Sequence, residues 1–175
     1  MKNPLQIIKV ENFFNLENKI CAEIGVQKGE WAKKIYECGP QELYLIDCWE
    51  YQNTNIYEND EANVSNDEQE KIYNQILLDF PFNNVKIIRK YSADACNDFP
   101  DEFFDFIYLD ANHNYVPLLN DLRIWFPKIK KGGWFTGHDI RGRWKKPVRA
   151  AVTKFCVENK LNLNYLTRKS WGFQK

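Results

Sequence analysis

Two hydrophobic periods alternate along this chain. Short apolar runs occupy residues 20–24, 43–46, 85–88 and 104–109, with shorter ones at 134–136, 163–166 and 171–173. The run at 104–109 is nearly unbroken, as in a parallel strand covered on both faces. Between the runs, apolar residues recur at helical spacing. One such stretch, residues 30–38, stops at Gly39-Pro40. Ser65-x-x-Glu68 reads as a capping box, with Ile72, Ile76, Leu77 and Phe80 as the stripe of the helix it opens and Pro81 beyond its end. Residues 93–99 suit a short helix. Tyr115, Leu118, Leu119, Leu122 and Trp125 mark a longer one, and Val148, Ala151, Val152 and Phe155 the last. Leu5, Ile8, Phe13 and Leu16 suit a further helix over residues 4–16, laid on the core. Gly132-Gly133 reads as a turn into the strand at 134–136, and the two final strands as a hairpin. Strands alternating with helices predict an α/β fold, a parallel sheet with helices on its faces.

One stretch breaks the pattern. Residues 48–70 are dominated by Asn, Asp, Glu and Gln, and their seven acidic residues face no Lys or Arg. An insertion or lid at about 48–66 is expected there. Composition changes the picture little: 44% hydrophobic and 27% charged residues in 175 suit one globular domain. Lys plus Arg equals Asp plus Glu at 24 each, which gives no reason to expect nucleic acid or membrane as a partner. Cys21, Cys38, Cys48, Cys96 and Cys156 are odd in number and form no C-x-x-C pair. They argue against a disulfide framework or zinc site, and for a reducing compartment. With no signal peptide and no run near a membrane span in length, the expected location is cytoplasmic. Six Trp leave room for an aromatic-lined pocket, although core burial accounts for most Trp.

In an open parallel sheet, ligands bind beyond the carboxyl ends of the strands. The residues there read Gly25-Val26-Gln27-Lys28-Gly29, Asp47-Cys48-Trp49, Tyr91-Ser92-Ala93-Asp94, Asp110-Ala111-Asn112-His113 and Gly137-His138-Asp139. All five ends are polar or acidic, and they hold both His of the chain. The glycine turn lacks the middle Gly that a dinucleotide pyrophosphate needs. Glu23 before the turn and Glu30 after it disfavour phosphate, and Glu23 suits a cationic or amine-bearing ligand. Asp47 follows Gly25 by 22 residues, where a carboxylate can grip ribose hydroxyls. The pattern fits an adenosine-containing ligand without phosphates, or else a tight strand-to-helix turn with a capping Asp.

These residues resemble the class I S-adenosylmethionine-dependent methyltransferases. Ala22-Glu23-Ile24-Gly25-Val26-Gln27-Lys28-Gly29 is similar to their first motif and Leu45-Ile46-Asp47 to their second. The run from Asp105 through Asp110-Ala111-Asn112-His113 to Tyr115 resembles the fourth-strand motif of a small-molecule O-methyltransferase subgroup. Pro127 to Gly133 resembles its approach to the fifth strand and Gly137-His138-Asp139 its exit. The resemblance covers roughly residues 20–160. It implies a Rossmann-like, doubly wound, seven-stranded, mostly parallel sheet. It also implies methyl transfer from S-adenosylmethionine to a small-molecule acceptor, at a sugar or natural-product hydroxyl.

Carried over residue by residue, Glu23, Gly25 and Gly29 would meet the methionine end of the donor. Asp47 would bind the ribose, and Ser92, Ala93 and Asp94 would border adenine. Asp110 and His113 would lie by the reacting methyl, and His113 or His138 could take the acceptor's proton, since imidazole titrates near neutral pH. Asp110 and Asp139 end strands that the family places side by side, and two hard oxygen ligands there suit Mg2+. The acidic 48–70 segment, where such enzymes differ in substrate, leaves the acceptor open. The basic run Arg141-Gly142-Arg143-Trp144-Lys145-Lys146-Pro147-Val148-Arg149 could hold an acidic acceptor, remain a solvated loop or partner the acidic segment. A nicotinamide-dependent reductase and a non-catalytic binding module on the same fold are the other readings. Oligomeric state has no signal in the sequence.

Overall fold

The computed structural model describes residues 14–175 except 56, 58, 59, 143 and 144. Most of the helix expected at 4–16 lies outside the described residues, and residues 14–16 carry no regular structure. The strands are β1 (Ile20–Ile24), β2 (Glu42–Asp47), β3 (Val85–Arg89), β4 (Phe104–Leu109), β5 (Ile129–Gly137), β6 (Asn164–Tyr165) and β7 (Trp171–Gln174). They form one seven-stranded sheet in the order β3-β2-β1-β4-β5-β7-β6. β1 to β5 run parallel, and β7 lies antiparallel to both β5 and β6. The expected seven-stranded, mostly parallel sheet is what forms, hairpin included.

Helices α1 (Glu30–Tyr36) and α2 (Asn66–Asp79) cover one face, where Ala32, Ile35, Ile72, Ile76 and Phe80 join the side chains of β1 and β2. Helices α3 (Ser92–Ala95), α4 (Tyr115–Trp125) and α5 (Lys145–Glu158) cover the other, burying Leu118, Leu122, Trp125, Val148, Val152 and Phe155. Both faces of β4 are therefore dry, as its unbroken apolar run required. The Ser65 hydroxyl accepts from the Glu68 amide at the start of α2, the cap its sequence encodes. Leu77, placed on the apolar stripe, is instead 42% exposed. It sits one step past Ile76, beyond the arc that faces the sheet.

Gly132 and Gly133 do not precede β5; they lie inside it. The pairing jumps from Phe104 opposite Ile129 to Phe106 opposite Trp134, so the strand bulges at the glycines. Gly132 has φ 79°, and a β-carbon on Gly133 would stand 2.8 Å from the Asp105 carbonyl oxygen. Glycine is needed at a bulge as much as in a turn, and only pairing partners distinguish the two. Among the described residues no helix is long and apolar enough to cross a membrane.

Candidate active site

From β1 the chain winds outward to β2 and β3, then crosses to β4 and β5 on the other side. The switch point lies between β1 and β4, where the two following loops part and leave a crevice. Gly25 directly follows β1 with φ 85°, and a β-carbon there would strike the Ala111 backbone nitrogen at 2.5 Å. The close approach that demands glycine is therefore made by the loop after β4. Gly29 has φ 72°, and its missing side chain admits Ile76 of α2 and Phe80 just beyond its end. Both glycines have a reason within the protein itself.

Glu23 sits one residue back from the end of β1, paired with Leu45 on one side and Tyr108 on the other. It is 1% exposed, and its Oε2 has no hydrogen-bond partner among the described residues. Burial, then the charges of Asp110 and Asp47, push its carboxyl well above the usual range; Lys34 acts weakly the other way. A hydrogen bond from the Ala32 backbone offsets this only in part, and a buried acid so placed favours a partner of opposite charge. At the end of β2, Asp47 Oδ2 accepts from the Val26 and Gln27 amides, both at 2.9 Å, and Oδ1 from the Trp49 amide at 3.0 Å. The glycine turn is thus tied to β2. Trp49, buried, closes the tie by donating its indole N–H to the Gln27 carbonyl.

The ends of β4 and β5 bring Asp110, His113, His138 and Asp139 together. His113 Nε2 lies 3.1 Å from Asp110 Oδ1 and 3.6 Å from Asp139 Oδ2. His138 Nδ1 lies 3.3 Å from Asp139 Oδ1. Asp139 adopts φ 55°, a left-handed conformation that Asp tolerates better than most residues. The His138 carbonyl accepts from the Trp171 indole, which pins the backbone between the imidazole and β7. Trp31 of α1 stacks on Tyr108 at 4.5 Å between centroids and leans against the His138 ring at 5.8 Å. Of the other Trp, Trp49, Trp125 and Trp171 are core residues.

The two imidazoles are driven apart in basicity. Burial works against a charge on His113, but the Asp110 hydrogen bond and the charges of Asp110, Asp139 and Asp60 outweigh it and hold its pKa above the ordinary value. Burial dominates at His138; with Lys169 and His113 acting the same way it lowers the pKa despite Asp110 and Asp139. Two groups pushed in opposite directions at one centre are how a site separates an acid from a base. The arrangement does not suit magnesium. An imidazole whose pKa the neighbouring carboxylates raise stands between them, and a second imidazole borders them, where Mg2+ would need oxygen ligands. Among the described residues no three ligating side chains gather as a metal site.

Ser92 opens α3. Its hydroxyl donates to Asp121 Oδ1 at 2.6 Å and accepts from the Trp125 indole at 2.8 Å, fastening α3 to α4. Ala93 and Asp94 follow it in α3. Asp121 is 9% exposed, and burial pushes its carboxyl up to about 6 against the Ser92 hydrogen bond. Sequence alone could not single it out, because it reads as the polar side of an amphipathic helix. The stretch after Asp47 reaches toward the same end of the sheet. Gln52 donates to the Tyr91 hydroxyl, which donates to Glu50, and Asp60 acts on His113. Asn63 pairs with Gln52 through two hydrogen bonds and also donates to the Tyr57 carbonyl.

Residues 22–140 match the sequence profile of a family described as a methyltransferase domain. The chain belongs to that family. The match covers every strand end described above and bears out the resemblance read from the sequence. The donor the family implies is S-adenosylmethionine, so the match sets the nicotinamide reading aside. A curated relative, an uncharacterised protein of Acanthamoeba polyphaga mimivirus, is 26% identical over 100 residues, 54% of this chain; the match spans 45% of that relative. Among solved structures, the O-methyltransferase NovP superposes with a TM-score of 0.65 at 16% identity, over 90% of this chain and 72% of NovP. An S-adenosylmethionine-dependent methyltransferase from Mesorhizobium loti gives 0.64 at 9% identity, over 94% of both chains. At such identities the likeness speaks for the fold.

Proposed function

We propose that the protein transfers the methyl group of S-adenosylmethionine to a hydroxyl of a small-molecule acceptor, with His138 as the base. The observation that carries this reading is the pair of imidazoles set against Asp110 and Asp139 at the ends of β4 and β5, beside the switch point. When bound, the donor supplies an electrophilic methyl whose carbon–sulfur bond breaks as the acceptor oxygen bonds to carbon, leaving the electron pair on sulfur. Glu23 holds the donor's ammonium, and Asp47 keeps the glycine turn shaped while its remaining lone pairs face the ribose. Asp139 beside Nδ1 sets the His138 tautomer, so that Nε2 carries the lone pair that takes the acceptor's proton. His113, whose pKa is raised by Asp110, orients Asp139. Residues 48–66 act as a lid that completes the acceptor side.

The test is methyl transfer to a hydroxyl panel. His138→Gln is expected to lower kcat by about 10²–10⁴-fold, the usual worth of a positioned base. Its affinity for S-adenosylhomocysteine should stay within twofold of the unaltered protein. The chain has two His, so its imidazole C2–H proton resonances can be assigned by single variants and titrated separately. One should titrate below 6.5 (His138) and one above. The acid limb of kcat should follow the lower, and EDTA should leave the rate unchanged. Loss in EDTA with rescue by magnesium, or an acid limb that moves in His113→Gln but not in His138→Gln, would overturn the assignment of the base.

A further inference from the structure

Beyond Asp139 the chain enters a groove of about 650 Å³, within the size range of small-molecule sites. Its lining includes Ile140, Arg141, Lys145, Lys146, Arg149 and Lys154. The groove adjoins the proposed active centre. Ile140 directly follows Asp139, and the loop turns back at Gly142 so closely that a β-carbon there would stand 4.0 Å from Asp139 Oδ1.

The charges in this groove are not explained by the fold. Lys154 pairs with Glu158, but among the described residues no carboxylate pairs with Arg141, Lys145, Lys146 or Arg149. Their placement also works against α5. Its first turn holds Lys145 and Lys146 and no acid, where the helix dipole favours the opposite sign. Lys145 and Arg149, four apart, repel one another along one helix face. Arg141 is steadied by the Tyr165 ring, 5.6 Å away. A chain with no net charge has concentrated cations in one concavity, at some cost to the helix that carries them. An anion lodged there relieves both penalties at once.

We infer that the acceptor carries a phosphate-type anionic group, seated between Arg141, Lys145, Lys146 and Arg149, with the hydroxyl to be methylated directed at His138. The inference rests on the methyltransferase reading. The experiment uses the full chain saturated with S-adenosylhomocysteine and inorganic pyrophosphate as the probe, followed by calorimetry. Pyrophosphate is expected to bind, more weakly as salt rises, and at least tenfold more weakly in the double variant Lys146→Glu/Arg149→Glu. Both positions are exposed, so the variant should fold, and S-adenosylhomocysteine affinity within twofold of the original shows that it has. No pyrophosphate binding, or binding that the double variant leaves unchanged, overturns the inference. So does a single-stranded oligonucleotide that binds tighter than pyrophosphate and is lost in the same variant, which would assign the groove to nucleic acid. Failure of S-adenosylhomocysteine to bind the unaltered protein is a separate result, directed at the methyltransferase reading.

Discussion

Glu23 is the residue whose state depends most on what occupies the crevice. In the ligand-free protein burial and two neighbouring carboxylates favour its protonated form. An ammonium group brought against it reverses the balance, because an opposite charge favours ionisation. Donor binding should therefore release a proton. Calorimetry with S-adenosylhomocysteine at one pH, in buffers of different ionisation heat, measures that proton directly. It should be absent in Glu23→Gln, which should also bind at least tenfold more weakly, since a neutral amide makes a poorer partner for the cation. Equal proton release in the two proteins would mean that the acid faces something other than the donor's amine.

At the scale of elements, the stretch after β2 differs from the sheet it overlies. It is held chiefly by polar side chains, with Asn63 at the centre. Hydrogen bonds of this kind break locally at little cost, whereas strands β1 and β4 open only with the core. Hydrogen exchange should be faster across residues 48–66 than in β1 and β4, and slower when donor and acceptor are both bound. Asn63→Ala removes the bonds to Gln52 and Tyr57. It should raise KM for the acceptor several-fold, with S-adenosylhomocysteine affinity unchanged. Strong protection of this segment in the free protein would count against a lid.

For the whole molecule, buried acids set the pH dependence of stability. Asp121 has its carboxyl raised from 3.8 to about 6 in the fold. The native state holds this proton more tightly than the unfolded chain, so unfolding releases it between those values. Raising the pH through that window therefore lowers stability, and above about 6 the effect is complete. The loss is on the order of 1–3 kcal/mol. Urea unfolding at pH 4 and pH 7 should show a decline in the native protein that is smaller by this amount in Asp121→Asn. Glu23 contributes with the same sign in both proteins, so the difference between them isolates Asp121.

The sequence by itself determined the order of strands and helices, the polar strand ends and the family. Those depend on local hydrophobic period, on turn residues and on motifs that lie within a few positions of one another. The near-continuous run of β4 and the Ser65 cap could be read directly, because burial on both faces and a free helix N-terminus each demand particular residues nearby. What depended on distant partners could not be read. Gly132 and Gly133 became a bulge because β4 pairs across them. The two glycines after β1 serve Ala111, Ile76 and Phe80 as neighbours. Ser92 faces Asp121 and Trp125, 29 and 33 residues further along. The two His were placed at strand ends by sequence, but only the fold set one beside Asp110 and the other beside Asp139 and made one stronger and the other weaker as a base. Burial and charge at a point in space are sums over residues remote in the chain, and a hydrophobic period carries no record of them.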